Sequence, residues 1–169
     1  MTAEPTRNEL FRHAAREYNG LISRFALSYE ADAALRRDLI QDILLAVWMA
    51  LPTYRGEASL KTFVASIAQK RAISHVSRRA REPRQVALPA NLLSAGPLPD
   101  EAAMQNELKK RVIEAIHLLP MPQREAIVLA FEGFSFGEMS EILGISMNAA
   151  MLRCQRARTM LRSIMERRR

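Results

Sequence analysis

Residues 133–165 read GFSFGEMSEILGISMNAAMLRCQRARTMLRSIM, and this stretch decides the fold. Ser135 and Glu138 form an S-x-x-E capping box, in which each side chain satisfies a backbone N–H of the other residue at a helix start. Met139, Ile142 and Leu143 point inward from the short helix that follows. Gly144 suits a left-handed turn residue, because it has no Cβ to clash. Ile145 anchors the turn, and Ser146 caps the next helix. There Ala150, Cys154, Ala157, Leu161 and Ile164 recur at spacings of four, three, four and three, giving one apolar stripe. Helix, tight glycine turn and helix, with small residues where the two approach, is the layout of a helix-turn-helix. Its second helix fits the major groove of DNA. From Ser146 onward seven arginines (Arg153, Arg156, Arg158, Arg162, Arg167, Arg168, Arg169) stand against one acid, Glu166. The guanidinium fork suits phosphate and guanine. The plainer alternative is a helical hairpin with a solvated basic tail.

Upstream of this motif the periodicity remains helical. Asp100 is a plausible N-cap, and Leu108, Val112, Ala115, Ile116 and Leu119 make a stripe. Pro120 and Pro122 punctuate it, and a further helix over Gln123 to Glu132 ends at Gly133, a common helix-terminating residue. Residues 82–100, EPRQVALPANLLSAGPLPD, hold four prolines and no clear period. They read as an interdomain linker. In the N-terminal half, Leu10, Ala14, Tyr18, Leu21 and Phe25 predict a helix over Asn8–Ala26. A second helix is expected over Ala33–Leu51, with Leu39, Ile40, Ile43, Leu44, Val47, Trp48 and Leu51 inward and Asp38, Gln41, Asp42 and Ala46 on the other face. A third is expected over Ser59–Arg81, with Leu60, Phe63, Val64, Ile67 and Ala68 inward and an increasingly basic surface.

The chain is therefore expected to be all-α: two small helical domains, 8–81 and 101–169, joined by the proline-rich linker. Its 169 residues suffice for that. A net charge of +7 favours a polyanionic partner. The single cysteine, Cys154, excludes an intramolecular disulfide and reads as core packing. No apolar run reaches the roughly 20 residues that span a bilayer, and the first residues lack a signal peptide's apolar stretch. A cytoplasmic protein without stable membrane insertion is the expectation. His13, His75 and His117 show no metal-binding spacing, and no glycine-rich phosphate loop or nucleophile motif is present. An enzyme is the least favoured class, and no cofactor or metal is expected.

Both halves together resemble a bacterial RNA polymerase sigma factor of the extracytoplasmic-function (ECF) subfamily. The likeness covers nearly the whole chain, roughly 8–81 and 101–165. Asp38-Leu39-Ile40-Gln41-Asp42 followed by Trp48 resembles the family's core-polymerase docking helix. YRGEASLKTFVASIAQKRAISHVSRR, residues 54–79, resembles its promoter-opening region. LLPMPQREAIVLAFEGFSFGEMSEILGIS with the RCQRAR run resembles the domain that binds the −35 element.

The resemblance implies an alternative sigma factor that binds core RNA polymerase and directs promoter-specific initiation, under the control of an anti-sigma factor. It implies polymerase docking by Asp38, Gln41, Asp42, Leu45 and Trp48. It implies −10 contacts by Tyr54, Arg55, Gly56, Ser59, Lys61, Lys70, Arg71, His75 and Arg78, where a loop pocket captures an unstacked base and cations track the backbone. It implies −35 contacts by Ser146, Asn148, Ala149, Met151, Leu152, Arg153, Gln155 and Arg156. Three departures stand out. Arg36 and Arg37 precede Asp38, where the family usually carries acids. Phe63 and Lys70 stand where Trp and Asn are frequent. Ala149-Ala150-Met151-Leu152 occupy positions that often hold polar base readers. The expected −35 contact is electrostatic and shape-dependent, with few hydrogen bonds to bases.

Two competing readings follow from the residues. One is a helix-turn-helix regulator that binds DNA without polymerase. The other is a sigma-like protein that sequesters a partner.

Overall fold

The structure, a computed structural model, describes residues 6–81 and 101–167. The linker at 82–100, the Asp100 cap, and Arg168 and Arg169 lie outside the described residues. The elements are α1 (Arg7–Glu17), α2 (Asn19–Tyr29), α3 (Ala33–Ala50) continuing into a 3₁₀ turn at Leu51–Thr53, and α4 (Leu60–Arg81). Then come α5 (Glu101–His117), α6 (Met121–Phe131), α7 (Phe136–Leu143) and α8 (Met147–Arg167). There is no strand among the described residues, as an all-α reading requires.

The first helix departs from expectation, because it is two. Tyr18 leaves helical geometry at φ −106°, ψ 12°. Its N–H still reaches the Ala14 carbonyl, and its own carbonyl accepts from Ile22. Asn19 and Gly20, both poor helix-interior residues, follow it. The break lets α1 fold across α3. There the Arg7 guanidinium lies 4.0 Å over the Trp48 ring and donates to the Trp48 carbonyl at 2.7 and 3.1 Å. Phe11 meets the same indole edge-on, centroids 5.3 Å apart. Two smaller corrections concern α3 and α6. Ala46, expected on the outer face, is buried, because seven residues from Leu39 it has completed nearly two turns onto the same side. α6 starts at Met121 rather than Gln123, because Pro122 fits the first turn, where its missing N–H has no helical partner to lose.

Leu21, Ile22, Phe25 and Ala26 of α2 pack with Leu39, Ile43 and Val47 of α3 and with Val64, Ala65 and Ala68 of α4. In the C-terminal half, Ala126, Ile127 and Leu129 of α6 and Met139 and Ile142 of α7 close over Ala150, Cys154 and Ala157 of α8. The small α8 residues allow the close approach that their pattern implies. Cys154 is fully buried, and burial pushes its thiol pKa up, so it is packing rather than a nucleophile.

The capping box forms as expected. Glu138 N–H donates to Ser135 Oγ at 3.2 Å, and Ser135 N–H donates to the Glu138 carboxylate at 2.8 Å. These bonds hold the Glu138 carboxyl below its ordinary pKa, the backbone N–H of Ser135 contributing most. Because the folded value lies below the unfolded one, the contribution is complete above the ordinary carboxylate range. It is lost as pH falls through the depressed folded value. Ser135→Ala is expected to cost about 1 kcal/mol, read as a lower urea midpoint at unchanged slope. Glu138→Gln keeps a box-competent side chain and should flatten the acid limb of stability against pH. An acid limb identical to wild type would refute this.

Candidate nucleic-acid interface

Three surfaces carry the residues singled out in the sequence. The first is the outer face of α3. Asp32 caps this helix by accepting from the N–H groups of Ala34 and Leu35, both at 2.9 Å, and these bonds lower its pKa. Asp38 and Gln41 are exposed, Asp42 is partly so, and Leu45 is 56% exposed. At i, i+3, i+4 and i+7 they share one side. Met49, 64% exposed, extends this patch and was not among the expected residues. Its signal was the four-residue step from Leu45. Trp48 stands apart, half-buried beneath Arg7 and Phe11. Asp42 lies 3.8 Å from Arg71 of α4, a pair open to solvent and therefore weak. Arg36 is accounted for locally: its guanidinium donates to the Glu30 and Ala31 carbonyls at 3.4 and 3.1 Å. It thereby satisfies carbonyls at the end of α2. Arg37 is exposed.

The second surface is the loop between α3 and α4. Gly56 has φ +75°, a conformation that strains any residue with a Cβ. The Tyr54 hydroxyl donates to the Ala58 carbonyl at 2.9 Å, and its ring packs on Phe63, centroids 4.9 Å apart. Ser59 is exposed and caps α4, its Oγ accepting from Thr62 N–H at 3.1 Å. A cavity of about 270 Å³ opens here, walled by Tyr54, Arg55, Glu57 and Phe63 and, from α7, by Glu141 and Ile142. Among the expected cations, Arg55, Lys70, Arg71 and Arg78 are exposed.

Two residues of this set are placed differently. Lys61 donates to the Glu132 carbonyl at 2.6 Å and lies 4.5 Å over the Phe134 ring, so the C-terminal half occupies it. His75 was expected on the surface but is 5% exposed. Its Nε2 is 2.8 Å from the Glu30 carboxylate, and Arg79 Nε lies 3.5 Å from the same oxygen. The reason is helical phase: Ala68, Ala72 and His75, at steps of four and three, lie on the buried stripe of α4.

The third surface is α8. Gly144 ends α7 at φ +63°, ψ 36°, the left-handed cap expected of it. Ser140 Oγ donates to the Ile145 carbonyl at 2.6 Å, and Ser146 Oγ accepts from Ala149 N–H at 3.1 Å. The turn is thus fixed by side chains on both sides. Opposite the buried Ala150–Cys154–Ala157 stripe, α8 presents Asn148, Met151, Leu152, Gln155 and Arg156, all exposed. Ala149 is half-buried. Arg153 is also half-buried, with Nη1 3.5 Å from the Glu125 carboxylate of α6. Burial raises the pKa of Glu125, and Arg153 opposes that shift. Arg153 therefore ties α8 to α6.

The two halves touch. Glu132, after α6, accepts Nε and Nη2 of Arg24 on α2 at 2.6 and 2.8 Å, a bidentate pair. The His117 ring donates through Nε2 to the Leu27 carbonyl at 2.8 Å. Arg124 lies 6.0 Å over the Tyr29 ring and donates to the His117 and Leu119 carbonyls. Tyr29, buried, gives its hydroxyl hydrogen to Gln69 at 3.0 Å.

With this geometry in place, comparison with known proteins is informative. Sigma-70 region 2 matches residues 14–82, and Sigma-70 region 4 matches residues 109–161. The chain is 28% identical over 165 residues to the ECF RNA polymerase sigma factor SigX of Bacillus subtilis, covering 94% of this chain and 84% of that one. It is 28% identical over 149 residues to the RNA polymerase sigma-H factor of Pseudomonas aeruginosa, covering 82% and 75%. Among solved structures it is similar to the sigma factor RpoE in complex with the anti-sigma factor NepR from Bartonella quintana. That match has a TM-score of 0.66 and 25% identity, over 90% of this chain and 96% of that one. A second likeness is to CnrH in complex with the cytosolic domain of CnrY, TM-score 0.69 at 23% identity, covering 92% of this chain and 87% of that one. Two sigma regions in the right order, on helices that build the expected surfaces, lead to one conclusion: this chain belongs to the bacterial RNA polymerase sigma factors of the extracytoplasmic-function subfamily.

Proposed function

We propose that this alternative sigma factor divides its work between residues 8–81 and 101–169. The α3 face (Asp38, Gln41, Asp42, Leu45 and, newly, Met49) docks on core polymerase. The Tyr54–Ser59 loop and the cations Lys61, Lys70, Arg71 and Arg78 engage the −10 element and its displaced strand. The outer face of α8 enters the major groove at the −35 element. His75 belongs to the buried frame rather than to this set. The protein works as a binding subunit, without catalytic groups of its own, in the cytoplasm where its polymerase is. An anti-sigma factor is its expected regulator, as for the relative bound to NepR.

The observation that carries this reading is the α8 face: exposed, with Asn148, Gln155 and Arg156 around Met151 and Leu152, on a helix-turn-helix pinned by the Ser135–Glu138 box and Gly144. The residues linking the halves (82–100) would make one engagement raise the effective concentration of the other. Run-off transcription tests it. Core polymerase plus this chain should start transcripts at defined sites on DNA that core alone does not use. No new start site would overturn the reading.

The arrangement of the halves bears on this function. Lys61 faces Glu132, and Glu141 sits at the rim of the loop cavity. A DNA strand repels that carboxylate and needs that lysine. We infer that the halves part when promoter DNA binds.

Binding by the holoenzyme should be strongly electrostatic. For each phosphate neutralised, the slope of log K against log salt gains about −0.9. Arg156→Ala should weaken binding to all sequences alike and lower that slope by about one. A shallow wild-type slope combined with strong sequence discrimination would refute it.

A further inference from the structure

The centre of the α8 outer face is apolar. Leu152 is 46% exposed and Met151 is 37% exposed, although both stand on the helix read here as the groove-entering one. At 100° per residue, Leu152 lies almost diametrically opposite the buried Ala150–Cys154 stripe. Asn148, Gln155 and Arg156 surround it at −4, +3 and +4 and are all exposed. Arg153, the neighbouring cation, is held 3.5 Å from Glu125. A leucine at the point of closest approach offers no hydrogen bond. The major groove presents one apolar feature among base edges, the thymine 5-methyl group.

We propose that Leu152, backed by Met151, is a specificity-determining residue that packs against a thymine 5-methyl group in the upstream promoter element. This rests on the reading of α8 as the −35 helix. Leu152 desolvates the methyl group while Asn148 and Gln155 address the flanking base edges and Arg156 a phosphate. The site therefore prefers thymine at one position by van der Waals contact, and a cytosine there loses the contact.

The test removes only that methyl group. The full chain with core polymerase first selects its upstream element from a pool of random duplexes. Each thymine of that element is then replaced in turn by deoxyuridine, which keeps the base pairing. At one position the replacement should weaken wild-type binding about fourfold, the worth of one buried methyl group. Leu152→Ala should bind the thymine duplex more weakly and show no difference between thymine and deoxyuridine at that position. A merely structural role for Leu152 would lower both affinities and keep their ratio. Equal wild-type binding at every replaced position, or a ratio that survives in Leu152→Ala, overturns the proposal alone. Failure to select any element overturns it together with the reading of α8.

Discussion

The double variant Asp38→Arg/Asp42→Arg is expected to fold like the wild type and to lose core polymerase binding by at least two orders of magnitude. Both carboxylates project from α3, one turn apart, beside exposed Leu45 and Met49. An exposed apolar patch edged by acids is costly to leave in water and fits a partner with a basic, partly apolar surface. Each reversal removes an attraction and adds a repulsion. Loss of one close interfacial charge pair typically costs 2–5 kcal/mol, so two reversals exceed the roughly 2.7 kcal/mol of a hundredfold change. The fold should not notice. Asp38 is exposed, and Asp42 faces Arg71 across a 3.8 Å gap, with both side chains more than 40% exposed. Such pairs contribute about 0–1 kcal/mol. The measurement is equilibrium binding to core polymerase beside thermal unfolding. Wild-type affinity in the double variant would remove α3 as the docking face. Of the two arginines preceding Asp38, Arg36 is turned to the carbonyls that follow α2, whereas Arg37 is exposed beside the patch.

The parts of this molecule that sequence reveals are those written in local periodicity. The α7–turn–α8 unit was legible because box, glycine and stripe are short-range signals, and each formed as expected. Tyr18 misled because the Leu10–Ala14–Tyr18–Leu21–Phe25 stripe runs unbroken through the helix break, and Phe25 is fully buried whether one helix or two precede it. His75 misled for a different reason. Its basic neighbours suggested a solvated face, yet its phase with Ala68 and Ala72 put it in the core, where Glu30 from α2 supplies a partner. That partner lies 45 positions away and leaves no local trace. Met49 was missed although the expected helix ran to Leu51 and the four-residue step from Leu45 put it on the outer face of α3. The contact between the halves was not legible at all, since Arg24 and Glu132 are 108 positions apart.

Arg24→Ala is expected to open the molecule. The pair is asymmetric: the Arg24 side chain is 60% exposed, whereas that of Glu132 is 8% exposed. Removing the arginine therefore leaves a carboxylate largely cut off from water and without its bidentate partner. Breaking a buried pair by deleting one member costs about 3–5 kcal/mol. The exposure of Arg24 reduces that to about 1–3 kcal/mol. Within each half the chain has no reason to unfold, so the strain is relieved by separating the halves and hydrating Glu132. The same separation removes the Lys61 bond to the Glu132 carbonyl and withdraws Glu141 from the loop cavity. Small-angle scattering should report a larger radius of gyration for Arg24→Ala at unchanged helical content. Adding Glu132→Gln should bring it back toward the wild-type value, because an amide tolerates the buried position without a counter-charge. If instead the open form were favoured by lost packing of the Arg24 stem, the second substitution would restore nothing. A wild-type radius in Arg24→Ala would mean that the Lys61, His117 and Arg124 contacts hold the halves together without the Arg24–Glu132 pair. DNA binding would then have to break those contacts first, since Lys61 cannot serve both Glu132 and a phosphate.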